Sequence, residues 1–125
     1  MKYEISIDDR HGIVEIRFVE QIPYSEHVKA RDELLEICRA RKMHKILVDA
    51  RGLVGVRATT IELFDFGVSW AELVHQTPTL LAGVLPLDAA TRKWWKFGEN
   101  VAVNRGVVTR SFDDIDEARA WLRGP

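Results

Sequence analysis

The chain turns on His44-Lys-Ile-Leu-Val-Asp49-Ala-Arg51-Gly52-Leu-Val-Gly55-Val-Arg57-Ala-Thr59-Thr60-Ile-Glu62. Ile46, Leu47 and Val48 form a short apolar run of the kind found in a strand covered on both faces. Gly52 and Gly55 punctuate a loop after it. Thr59 and Glu62 have the spacing of a capping box, so a helix should open there. In open α/β sheets, ligands bind in the crevice beyond the carboxyl ends of the strands. Any site is therefore expected near residues 51–60.

Upstream, Tyr3, Ile5 and Ile7 alternate with polar residues, as do Val14, Ile16 and Phe18. A period of two marks half-buried strands, and Asp8-Asp9-Arg10-His11-Gly12 between them predicts a hairpin turn. His11 reads as a solvated turn residue. Pro23 and Ser25 then precede a helix expected over Glu26–Lys42, with Ser25 as its N-cap. Ala30, Leu34, Ile37, Cys38 and Arg41 supply one stripe at helical spacing, and Arg31, Glu33, Glu36 and Arg39 read as its solvated face. Cys38, on the stripe, reads as a buried structural thiol.

Downstream, a helix is expected from Thr60 to Gln76. Ile61, Phe64, Val68 and Ala71 mark one face, while Leu63, Phe66, Trp70, Leu73 and Val74 widen the apolar arc. Gly67 inside it costs about 1 kcal/mol relative to Ala, which signals a close approach by a neighbouring strand, a second subunit or a ligand, with a strand the first expectation. Pro78 ends that helix, and Thr79-Leu-Leu-Ala-Gly-Val-Leu85-Pro86 is a second continuous apolar run, hence another central strand. Asp88 should cap a helix over Ala89–Asn104 with Ala90, Trp94, Phe97 and Val101 as its buried stripe, and Trp95 off it beside Arg92, Lys93 and Lys96. Val107–Phe112 reads as the last strand. Asp114 and Glu117 have capping-box spacing before a final helix carrying Ile115, Ala118, Trp121 and Leu122.

The order is β-β-α-β-α-β-α-β-α. Alternation of strand and helix means parallel pairing through right-handed crossovers, with the first strand antiparallel in its hairpin. A single α/β domain over residues 1–125 follows, with a mixed five-stranded sheet and four helices.

Composition narrows the function classes. The 18 basic and 19 acidic side chains nearly balance, which gives no electrostatic footprint for nucleic acid. The single cysteine permits no internal disulfide. The alternating N-terminus is not a signal peptide, and no apolar run approaches the ~20 residues of a membrane span. The expectation is a soluble, cytoplasmic protein without metal or cofactor.

The opening Tyr3-Glu-Ile…Gly12-Ile-Val-Glu-Ile-Arg-Phe18 hairpin, the Lys45-Ile-Leu-Val-Asp49-Ala-Arg51-Gly52 strand and loop, and the closing Phe112-Asp-Asp-Ile-Asp-Glu-Ala-Arg-Ala-Trp121-Leu together resemble the bacterial stage II sporulation protein AA-like group. That group is related to the STAS domain of anti-sigma-factor antagonists. The resemblance spans nearly the whole chain and implies that the loop before the second helix is the working surface. In the antagonists that loop carries a phosphorylatable serine, usually after an aspartate. Here the matching region reads Val56-Arg57-Ala58-Thr59-Thr60, which leaves Thr59 and Thr60 as the phosphoacceptors to consider. Wider similarity to CRAL-TRIO lipid-binding domains implies apolar ligands held between helices and sheet.

Three function classes follow. The first is a non-enzymatic interaction module in which Asp49, Arg51, Leu53, Val54, Val56, Arg57, Thr59, Thr60 and Phe64 form the partner- or ligand-binding surface. A homodimer would use the same apolar loop. The alternative is a site for a small anionic, amphipathic or lipid-like molecule, with Arg51, Arg57 and the helix start at Thr60 on its head group and Phe64, Phe66 and Trp70 along its apolar part. An enzyme ranks last. Asp49 and His44 occupy opposite ends of one strand, roughly 16 Å apart at ~3.3 Å per residue, too far for a dyad. Asp49 is instead expected to hydrogen-bond the following loop, and the chain carries no catalytic or metal-binding motif.

Overall fold

The computed structural model describes residues 3–19, 23–55, 58–76 and 79–124. Two alternating strands, β1 (Tyr3–Asp8) and β2 (Ile13–Phe18), pair antiparallel, with Ile5 opposite Ile16 and Asp8 opposite Ile13. Gly12, at φ 68°, takes the left-handed conformation that brings the chain into β2. β3 (Lys45–Asp49), β4 (Leu80–Val84) and β5 (Val108–Phe112) add in parallel, so the five-stranded sheet runs β1-β2-β3-β4-β5. The helices are α1 (Tyr24–Arg41), α2 (Thr60–Gln76), α3 (Ala89–Val103) and α4 (Ile115–Arg123). The expected element order and mixed sheet are what the fold contains.

Strand order places the helices. Each parallel strand lies beside its predecessor, and right-handed crossovers carry α1, α2 and α3 across the same face. The alternation within β3 divides the core accordingly. Ile46 and Val48 pack with Leu34, Trp70 and Ala102 on the three-helix side. Leu47 packs with Ala82, Phe112, Ala118 and Leu122 under α4 on the other. Arg119 of α4 adds a bidentate pair to Glu15 of β2, at 3.0 and 2.9 Å.

Helix starts agree with the sequence in part. Asp88 caps α3 by accepting from the Thr91 amide at 3.0 Å. Asp114 caps α4, with Asp116 as its donor rather than a residue paired to Glu117. Ser25 does not cap α1. The helix begins one residue before it, because Pro23, with φ −69°, stands at the N-cap and its carbonyl accepts from Glu26 and His27.

Three expected stripes are corrected. On α1, Arg41 is exposed, whereas Arg31, placed on the solvated face, is 9% exposed in its side chain. On α3, Ala90 and Phe97 are exposed, and the inward row is Thr91, Trp95, Gly98 and Ala102. Trp95, expected off the buried stripe beside Arg92, Lys93 and Lys96, lies over Gly83 of β4. Likewise, on α2 the side chains of Ile61 and Phe64 are exposed, and Gly67, Trp70, Ala71 and Val74 are buried. The close approach at Gly67 is to a helix, not a strand: a Cβ there would stand 2.8 Å from Val101 Cγ1 and 3.0 Å from the Gly98 carbonyl oxygen. Pro78 lies outside the described residues.

Candidate functional site

Helix α2 makes its close backbone approach to α3 rather than to any strand. A helix held by a neighbouring helix need not settle on the sheet, and a space remains beneath it. The cavity has a volume of about 130 Å³. Its floor is the three-helix face of the sheet: Ile16, Val48, Leu81, Gly83 and Thr109. Gly83 has no side chain to fill the floor, and the Trp95 indole lies above it. Leu63, Phe66, Gly67 and Trp70 of α2 form the roof. α1 contributes Tyr24, His27, Arg31 and Leu34, and α3 contributes Thr91, Trp94, Trp95, Gly98, Glu99 and Ala102.

Polar groups enter this apolar space at defined places. His27 sits between Phe18 and Phe66, with ring centroids 5.1 and 6.4 Å away. Burial pushes its pKa down to about 4, so the ring is neutral at pH 7. One helical turn on, the Arg31 guanidinium lies over the Phe66 ring, 5.2 Å from its centroid, and donates to Ser69 Oγ at 2.5 Å. Burial raises the pKa of the Tyr24 phenol in the same stripe. From α3, Glu99 accepts a hydrogen bond from the Ser111 hydroxyl, and burial raises its carboxyl above the ordinary range against the pull of Lys96.

The loop after β3 has one side in this cavity. Leu53, expected at the surface, is only 1% exposed and lines the cavity with Ala58. Val54 beside it is 60% exposed. Thr91 pins the loop from below: its hydroxyl accepts from the Gly55 amide at 2.7 Å and donates to Asp88 Oδ2 at 2.7 Å. Val56 and Arg57 lie outside the described residues.

The expected site residues therefore separate into groups. Asp49 and Arg51 form a pair at the carboxyl end of β3, with Arg51 Nε and Nη2 donating at 3.0 and 2.9 Å and the Arg51 amide at 3.1 Å. Burial would raise the Asp49 pKa, but these bonds to Arg51 outweigh it and the carboxyl titrates below its usual range. The pair borders a separate open recess with Arg17 and Leu87. Thr59 and Thr60 are exposed at the start of α2. The Thr59 hydroxyl accepts from the Glu62 amide at 3.1 Å, and Glu62 Oε1 accepts from the Thr59 amide at 2.9 Å, which completes the capping box. Phe64 stands outside the cavity under Arg105, 4.9 Å from its ring centroid, whereas Phe66 and Trp70 line it as expected.

No protein-family model and no curated protein matches this chain.

Sequence reasoning missed Tyr24, His27, Arg31 and Glu99 as cavity residues. A signal existed. Tyr24, His27, Arg31 and Leu34 recur at spacings of three, four and three, which puts them on one helical face. A stripe that mixes aromatic, titratable and aliphatic residues does not register when only aliphatic residues are counted.

Two further groups are structural. Cys38 is buried, and burial pushes its thiol up to about 11, which leaves it protonated and inert. His11 Nδ1 and Asp8 Oδ2 are 2.8 Å apart in the hairpin turn. No helix among the described residues is long and apolar enough to cross a membrane.

Proposed function

We propose that this domain binds a small apolar or amphipathic molecule in the cavity between α2 and the sheet, without chemical transformation. The observation that carries the reading is the cavity of about 130 Å³. Native interiors are packed close to crystal density, and voids much larger than a water are few. A dry apolar cavity of about 150 Å³ takes up one benzene ring. The occupant is thus a single ring or a short chain. A long acyl chain would require α2 to move off α3. This is the ligand class that the likeness to lipid-binding domains suggests, reduced in size by the volume available.

A second reading is an interaction module acting through residues 51–60, in keeping with the STAS-like resemblance. Exposed Val54 favours it. The two readings share the loop, since Leu53 and Ala58 face inward and Val54 faces outward.

Mass spectra of protein purified gently from its own host, first native and then denatured, test the proposal. Extra mass that disappears on denaturation supports a bound small molecule. Extra mass that persists and maps to Thr59 or Thr60 supports the phosphoacceptor role instead. A bare mass in both spectra counts against the cavity reading.

A further inference from the structure

The polar lining of the cavity is uneven, and its unevenness specifies a ligand. His27 Nε2 is buried and has no hydrogen-bond partner among the described residues. Its flanking groups are the rings of Phe18 and Phe66, which offer it no conventional partner. Thr79 Oγ1 is the other buried side-chain atom without a partner among the described residues, but it does not line the cavity; buried polar atoms are generally satisfied, so the orphan at the cavity wall points to a group that arrives with a ligand. A neutral imidazole can present Nε2 as an N–H donor by choice of tautomer.

Arg31 lines the same cavity from the same face of α1. Its donors are only partly used: Nη1 goes to Ser69 Oγ, and Nε and Nη2 go to Asp32 Oδ1 at 3.2 and 3.0 Å. A guanidinium carries five N–H groups, so two have no partner among the described residues. The side chain of Asp32 is 59% exposed, so its charge is largely screened by solvent, while Arg31 is held inside.

We infer that the ligand is a small carboxylic acid with an aromatic or short aliphatic body, its carboxylate against His27 and Arg31 and its body beneath α2. The inference rests on the cavity-binding reading above. An amine is disfavoured, because it would meet the Arg31 cation. The one carboxyl of the lining among the described residues, Glu99, is on α3, engaged by the Ser111 hydroxyl. Burial raises its pKa, which opposes the charged form.

Benzoate, toluene and benzylamine are matched in size and differ in charge. Their binding is read from the fluorescence of Trp70, Trp94 and Trp95, which line the cavity. Benzoate should bind about tenfold or more tighter than toluene, the margin of one charge-assisted hydrogen bond, and benzylamine should bind most weakly. His27→Phe should abolish the preference for benzoate over toluene. His27→Gln, which keeps a donor, should retain part of it. If His27→Phe fails to fold, Arg31→Met carries the same test. Toluene binding as tightly as benzoate to the native protein would overturn the inference and leave the cavity reading standing. A benzoate preference that survives in a folded His27→Phe or Arg31→Met variant would overturn it too. Failure of all three probes to bind would remove the inference and the cavity reading together.

Discussion

Gly67 of α2 and Val101 of α3 touch so closely that a Cβ added to Gly67 would lie 2.8 Å from Val101 Cγ1 and 2.9 Å from its Cβ. This contact fixes α2 against α3 and so holds open the space over the sheet. It predicts opposite outcomes for two glycines in neighbouring helices. Gly67→Ala places a methyl group against Val101 and the Gly98 carbonyl, and should destabilise the fold by about 1–3 kcal/mol through overpacking. Gly98→Ala meets nothing within 4 Å and should stabilise it by about 0.5–1 kcal/mol through helix propensity alone. Chemical denaturation of both variants decides the matter; equal and favourable shifts would show that the helices are not held at Gly67.

The loop over the cavity depends on Thr91. Its side chain is fully buried, receives the Gly55 amide and donates to Asp88. Thr91→Val preserves the shape and removes both bonds. The Gly55 amide loses its acceptor while Asp88 keeps the residue-91 amide, and the change should cost about 1–3 kcal/mol. Hydrogen exchange at the Gly55 amide should accelerate more than exchange in the β3 core. Uniform acceleration across the domain would mean that Thr91 supports the whole fold rather than the loop.

The capping box of α2 gives a more local expectation. Thr59→Ala removes the acceptor for the Glu62 amide and should cost about 1 kcal/mol. Thr59→Asp restores a capping oxygen and adds a charge that the helix N-terminus favours, so it should recover most of the loss. Thermal melts of the two variants side by side provide the check. An aspartate no better than alanine would contradict the cap.

His27 should make the protein sensitive to mild acid. Its folded pKa of about 4 lies below the 6.5 of the free group. Between those values the unfolded chain takes up a proton that the folded chain refuses. The contribution is therefore fully present above about pH 6.5 and falls as pH drops toward 4, by up to about 3 kcal/mol. Asp49 acts in a lower window: its folded pKa is depressed, so its contribution holds above its ordinary 3.8 and is lost as pH falls below that. His27→Phe should flatten the stability profile between pH 4 and 6.5 and leave the more acidic loss in place. Parallel slopes for native protein and variant would show that His27 is not held neutral by burial.

The sequence made the sheet legible because its signals are periodic and local. The apolar runs at Ile46–Val48 and Leu80–Val84, the alternation in β1 and β2, and the caps at Thr59 and Asp88 each depend on near neighbours. The cavity was less legible because it depends on which helix α2 meets. Gly67 announced a close approach, but only the three-dimensional arrangement shows Val101 as the partner. Adjacent tryptophans obscured the face of α3: Trp94 and Val101 of the expected stripe do face inward, but the row of Thr91, Trp95, Gly98 and Ala102 beside them gave little signal, since three of those four residues are not bulky hydrophobes. Leu53 belongs to a loop, where no period exists to tell inward from outward, and the structure turns it into the cavity and Val54 away from it. Arg31 was placed with the solvated residues by its charge, although its stem and guanidinium pack on Phe66.

The central claim is that the space under α2 accepts a ring-sized molecule. Intermolecular nuclear Overhauser effects between toluene and the protein, recorded for the native chain and for Gly98→Leu, test it most directly. The native protein should give contacts from toluene to Phe66, Trp70 and Trp95, and a leucine added at the cavity wall should abolish them without unfolding the domain. Contacts confined to exposed Phe64, Leu87 or Val54, or contacts to the lining that Gly98→Leu leaves unchanged, would contradict the account.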